Sequence, residues 1–296
     1  MSKTQAMGLI LLGATFMSFV GLLMRLIEAA DGFQILTYRS ITLAAMVALV
    51  ACLRRRVGPG RFIAGLDGND LAMGLALAVA FTTYVFAMLN TSVASALFIL
   101  SISPLCAAVL AWAWIGERPS PVTVAAMGLA VIGVGLMVQG GIDLGRTEGN
   151  LYALISACAF ALMLTLARRS RKSDVLGGTF LGGVLSLLIG AGYALGPGGG
   201  LVVSPHDFWL SLFMGGFTIG IGIALVTWGT PYVPAAEVSL LVLLESVLGP
   251  VWVWLIVNEA MSWAEITGGA LVLASVAAQA VLGRRKRRFA ALEGGR

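Results

Sequence analysis

Two charges stand alone in long apolar runs of this chain: Glu245 between Leu243-Leu244 and Val247-Leu248, and Arg39 between Ile35-Leu36 and Ile41. A charge in hydrocarbon is costly and needs a partner or a task. Glu245 falls about ten residues into its run, ~15 Å deep at 1.5 Å per residue, near a bilayer midplane. A carboxyl at that depth can exchange a proton near neutral pH, or stay ionised against a solute ammonium or an arginine. The plain alternative is a protonated structural group bonded to a neighbouring helix. Arg39 lies roughly six residues, ~9 Å, inside its run, within partial reach of the interface by snorkelling. Three roles are open to it: holding a solute carboxylate, gating, or a helix-helix ion pair. Ser103-Pro104 adds an interruption. Proline lacks the N–H that would take the Leu100 carbonyl, and Ser101 and Ser103 place hydroxyls beside the break. A kink that serves packing alone is the competing reading.

Other chemistry is poorly represented. His206 is the only histidine, and its Gly- and Pro-rich surroundings predict a loop, so neither a His-based metal site nor a Ser/His/Asp triad has the residues it needs. Cys52, Cys106 and Cys158 lie in separate apolar segments without CxxC spacing, which argues against a metal site or a disulfide framework. Gly196-Pro197-Gly198-Gly199-Gly200 reads as a flexible loop and lacks the Gly-Lys-Ser/Thr ending of a phosphate cradle. No cofactor is implied.

These residues must be carried by membrane-spanning helices. The 296 residues are 59% hydrophobic and 11% charged, against about 25% charged in soluble domains, which excludes an ordinary soluble enzyme. Ten apolar stretches approach the length of a span: Gln5 to Ile27, Phe33 to Leu53, Leu71 to Asn90, Val93 to Ile115, Pro121 to Gln139, Leu151 to Ala167, Val175 to Leu195, Phe208 to Thr230, Ala235 to Val257 and Trp263 to Leu282. The first has no small-residue cleavage site after its opening residues and reads as a retained span. Of the 19 Lys and Arg, all but Arg25, Arg39 and Arg146 fall on one side, chiefly in Arg54-Arg55-Arg56 with Arg61, Arg168-Arg169 with Arg171-Lys172, and Arg284 to Arg288. The positive-inside rule makes that side, and both termini, cytoplasmic in a cell inner membrane. The basic tail from 284 to 296 reads as a topology signal touching anionic lipid, not as a nucleic-acid site. Arg25, with Glu28 and Asp31 nearby, reads as an outer-surface anchor, and Asn90 as a helix terminus.

Elsewhere on the apolar spans, Thr15, Ser18, Thr83, Tyr84, Ser156, Phe160, Thr218, Thr227 and Trp228 lie at depths comparable to Ser101, Ser103, Glu245 and Ser246. Together they outline a mostly apolar cavity with hydroxyls and aromatic faces, suited to a small amphipathic solute. Each alone is ordinary helix packing, as are most of the 38 glycines.

A shift of 142 lays the second half on the first, so that Glu117 meets Glu259, Trp112 meets Trp254, and Ser103-Pro104 meets Glu245-Ser246. Five spans per half is an odd number, so the second copy enters the membrane from the opposite side. That is an inverted repeat, residues 1–141 and 142–283, and interrupted helices at matched midplane positions mark its transport site. The run Leu110-Ala111-Trp112-Ala113-Trp114-Ile115-Gly116-Glu117-Arg118-Pro119, after Pro104 and before a Gly-rich fifth span, resembles the drug/metabolite transporter superfamily in its ten-helix, EamA-like branch. The second copy, Leu244 to Pro250 and Asn258-Glu259, is similar, with Glu245-Ser246 where the family commonly has Glu-Pro and Asn258-Glu259 where it has Gly-Glu. The resemblance implies a carrier whose cavity is enclosed mainly by spans one, three, four, six, eight and nine, with two beside it and five and ten peripheral.

The expectation is therefore an all-α polytopic secondary transporter, with small-molecule solute and protons as partners. A monomer suffices to enclose the cavity and a homodimer is an alternative. Export of an amino acid or related metabolite is favoured on family grounds, and a multidrug or other-metabolite carrier of the same fold is the runner-up. A passive channel would need a continuous polar lining, and an intramembrane enzyme a converging nucleophile and base; neither is present in the sequence.

Overall fold

The computed structural model describes residues 1–116, 119–143, 145–170, 174–233 and 235–293, without the side chains of 141–143, 235–236, 239–240, 279–280 and 282–293. Glu117, Arg118, Arg171, Lys172, Arg296 and the side chains of Arg284 to Arg288 thus lie outside the described residues.

Among the described residues all regular structure is helical. The helices are α1 (Lys3–Ser18), α2 (Val20–Leu26), α3 (Gly32–Arg55), the short α4 (Pro59–Ala64), α5 (Gly68–Asn90), α6 (Val93–Leu100), α7 (Ser103–Ile115), α8 (Pro121–Asp143), α9 (Thr147–Arg169) and α10 (Leu176–Leu195). Then come α11 (Pro205–Phe213), a π-helical stretch Met214–Gly220, α12 (Ile221–Gly229), α13 (Ala235–Val242), α14 (Leu244–Val257) and α15 (Trp263–Glu293). Among the described residues, eight stretches are long and apolar enough to cross a membrane: Lys3–Leu26, Gly32–Arg55, Gly68–Asn90, Val93–Ile115, Pro121–Gly140, Thr147–Arg169, Leu176–Leu195 and Pro205–Tyr232. Two shorter apolar helices, Leu244–Val257 and Trp263–Ala278, follow.

Short polar residues start several of the helices. Ser2 with Gln5, Asp31 with Gln34 and Asp67 with Asp70 form reciprocal capping boxes on α1, α3 and α5. Each satisfies N–H groups that a helix end leaves without partners. Ser92 and Ser204 cap α6 and α11. His206 therefore stands in the first turn of α11, not in a loop, because Ser204 and Pro205 begin the helix just before it. The glycine-rich segment is also tied down. Gly198 and Gly200 donate to the Tyr193 and Ala194 carbonyls, and the Gln34 side chain holds the Gly200 carbonyl at 2.9 Å. The basic C-terminal segment continues α15 as helix to Glu293.

Packing is organised around α3, α5 and α9. α10 lies against both α3 and α5, α5 against α9, and α15 against α8. α1 packs on α12, α14 on α1, α2 and α6, and α9 on α6 and α7. Lipid tails are as apolar as the side chains, so association depends on close approach and fit. Gly215 is an extreme case: a Cβ there would overlap the Arg39 carbonyl oxygen and stand 2.5 Å from Thr42 Oγ1. Gly8 has nothing within 4 Å of the same position. The two sites should therefore respond with opposite sign to Gly→Ala. In thermal unfolding of the detergent-solubilised protein, Gly215→Ala is expected to lose about 1–3 kcal/mol by overpacking, and Gly8→Ala to gain up to about 1 kcal/mol through helix propensity. Equal effects would contradict the α3 packing.

Candidate functional site

Two helix interruptions face each other across the α6–α14 contact. In the first, α6 ends at Leu100 and α7 begins at Ser103, with Pro104 in its opening turn. Pro104 cannot donate to the Leu100 carbonyl, and Ser103 Oγ donates to it instead at 2.5 Å. Ser101 Oγ takes the Phe98 carbonyl at 2.6 Å. In the second, α13 ends at Val242 and α14 begins at Leu244, which puts Glu245 in the first turn of α14. A helix N-terminus presents the positive end of the backbone dipole, so it favours an anionic carboxylate. Glu245 is half-buried, whereas Ser246 is buried and donates to the Leu97 carbonyl of α6 at 3.4 Å.

Arg39 on α3 is the largest of the fully buried side chains, at 0% exposure. It does not snorkel, because α3 runs on from Arg39 between α10 and the π-helical stretch and leaves the guanidinium facing α5. Nor does it form an ion pair among the described residues. One Nη donates to the Phe81 carbonyl at 3.2 Å, and its charge lies 5.6 Å from the Phe81 ring centre and 6.0 Å from that of Tyr84. Among the described residues Nε has no hydrogen-bond partner. Tyr84 of α5 thus lies against the Arg39 guanidinium. The backbone beside Arg39 is clamped: Thr42 Oγ1 donates to the Leu212 carbonyl at 2.7 Å, just ahead of the π-helical stretch. Such widened turns are rare and recur at functional sites.

Most of the other expected site residues spend their hydroxyl protons on backbone. Thr15 donates to Leu11, Thr83 to Val79 and Thr218 to Met214, all within their own helices. Ser156 donates across from α9 to the Ala80 carbonyl at 2.9 Å. Ser18 donates to Thr15 and accepts from Trp252 Nε1 at 2.9 Å, and Trp252 stacks on Phe19 at 5.1 Å. Phe160 packs against the cluster of Met73, Leu77 and Met163. Trp228 is exposed, and the Thr227 carbonyl accepts from Arg54, so this turn is not gathered with the rest. Phe81, Thr82 and Trp252 were missed by sequence reading. Thr82 Oγ1 is buried without a partner beside the carbonyl that holds Arg39. Only its place next to Phe81 and Tyr84 on α5 hinted at it.

The sequence profile of the EamA-like transporter family matches residues 4–139 and 147–279. A protein of Archaeoglobus fulgidus described as an uncharacterized transporter is 26% identical over 275 residues, covering 90% of this chain and 93% of its own. A solved crystal structure, 21% identical, has the same fold with a TM-score of 0.66, covering 95% of this chain and 99% of that one.

A buried cation without a counter-charge contributes little to stability that an apolar side chain could not. Arg39→Met is therefore expected to change stability by less than about 1 kcal/mol or to raise it. A loss above about 3 kcal/mol in thermal unfolding would instead assign the guanidinium to holding α3 against α5.

Proposed function

The chain belongs to the EamA-like transporter family, a transporter and not an enzyme, and from that premise we propose that it is a proton-coupled secondary carrier of amino acids or related zwitterionic metabolites. The observation that carries this reading is the buried Arg39, its Nε unused and its guanidinium over the Tyr84 ring, together with the half-buried carboxyl of Glu245 in the first turn of α14. A zwitterion supplies what each lacks: its carboxylate answers Arg39 and its ammonium answers Glu245. Arg39 is sealed in this conformation, so the solute reaches it only when the surrounding helices part.

In this reading the chain crosses the inner membrane ten times as two inverted halves, 1–141 and 142–283, with both termini in the cytoplasm, and works outward as a monomer. Two findings support the repeat. The family profile matches two stretches of similar length, and the packing survives exchange of the halves: α1 on α12 has its counterpart in α9 on α5, and α14 on α1 in α7 on α9. The interruptions at 101–102 and 243 supply paired irregular backbone at matched positions, the usual setting of a midplane solute site.

Glu245 is the proton carrier of this scheme. Glu245→Gln keeps the size and the hydrogen-bonding oxygen but cannot bind and release a proton. In proteoliposomes it is expected to abolish acceleration of solute flux by an imposed pH gradient while leaving solute exchange at equal concentrations measurable. Unchanged rate and pH dependence would remove Glu245 from coupling.

A further inference from the structure

Three side-chain contacts join the first helical stretch to the α13–α14 stretch with the same sequence separation. Lys3 pairs with Glu237 at 2.7 Å, Trp252 Nε1 donates to Ser18 at 2.9 Å, and Arg25 Nε meets Glu259 at 2.5 Å. A constant offset over the whole length means that the two stretches run parallel and in register, tied at both ends and in the middle. The Arg25–Glu259 end carries additional bonds of another kind. Arg25 also donates to the Met88 carbonyl and, at 2.6 Å, to the Thr91 carbonyl, and Glu259 accepts from the Val93 N–H at 2.9 Å. These bonds leave the tied pair and cross to the turn between α5 and α6. Arg146 and Glu265, paired at 3.2 Å, flank the same turn, and Glu265 accepts from Ser92 and Ser95.

We propose that Arg25 is the bolt of a gate: the Arg25–Glu259 pair holds the 88–93 turn against α2 and α14 and closes the pathway at that end. Opening requires the crossing bonds to break while the Lys3, Ser18 and Arg25 ties to α13–α14 persist. The guanidinium fork explains the residue. It reaches Glu259 and two carbonyls at once, which the single ammonium of lysine cannot do in that geometry. The rim has polar surroundings that keep it hydrated when it opens. A recess of about 410 Å³ lined by Arg25, Leu89, Asn90, Thr91, Arg146 and Glu259 already reaches it from outside. Beneath it the stacked Phe19 and Trp252 form a second, apolar layer.

The proposal rests on the carrier reading for its meaning, but its test does not need a solute. Ala94, at 3% exposure in the first turn of α6, is replaced by cysteine in a protein whose Cys52, Cys106 and Cys158 are serine. Labelling by a membrane-impermeant maleimide is then followed in vesicles of both orientations. Arg25→Lys is expected to speed labelling about tenfold or more, the population change that follows loss of one or two charge-assisted bonds, and only from the face that carries the 88–93 turn. Glu259→Gln is expected to act in the same direction, and it decides the matter should Arg25→Lys fail to fold. Equal rates in parent and variants overturn the gate. Saturable solute flux measured on the same preparations then shows whether the carrier reading stands without it.

Discussion

A bilayer core offers no partner to an N–H, a carbonyl or a charge, so each such group at that depth has to be answered from within the protein. Much of this structure can be read as the answer. Where Pro104 removes a donor, Ser103 supplies one to the orphaned Leu100 carbonyl. Where helices meet, Ser156 and Ser246 donate to carbonyls of the facing helix. The hydroxyls that looked like a cavity lining are largely committed to keeping the backbone satisfied, and that commitment lets the two interruptions persist in hydrocarbon.

Arg39 is the exception, and its isolation gives it significance. A guanidinium with one backbone partner, two aromatic faces and an unused Nε is an expensive feature with no evident role in holding the helices together. Its guanidinium rests over the Tyr84 ring, and the backbone beside it is fixed by Thr42 and the π-helical stretch. The rigid elements thus position a cation and a carboxyl without joining them, which leaves room for a solute to complete both. At the far end of the same helices the charges are arranged in the opposite way: Arg25 is fully engaged by Glu259 and two carbonyls. One arginine is held in reserve, the other is in use as a fastening.

The apolar runs, the capping residues and the break at Ser103-Pro104 were legible in the sequence because each is a local matter of helix period, missing donors or short polar side chains. Glu245 and Arg39 were conspicuous for a similar reason, as single charges in apolar runs. What each side chain touches was not legible. Arg25 has Glu28 and Asp31 beside it in sequence, yet Asp31 is used as the cap of α3, the Glu28 backbone donates to Asp207, and the arginine finds its partner 234 residues away. Snorkelling was a fair expectation for Arg39 from depth alone and fails because neighbouring helices cover it. Cys106 and Cys158 fall in separate segments but line one recess where α7 packs on α9. The π-helical stretch has no sequence rule behind it beyond its glycines.

The central claim is that a solute completes the gap between Arg39 and Glu245, and the most direct measurement is uptake of a radiolabelled amino-acid panel into proteoliposomes, with and without a pH gradient, beside the decarboxylated amines of the same side chains. The account predicts saturable uptake of one group of amino acids, faster with the gradient, and none of the matching amines. Uptake that rises without saturation, or that treats acid and amine alike, would contradict it.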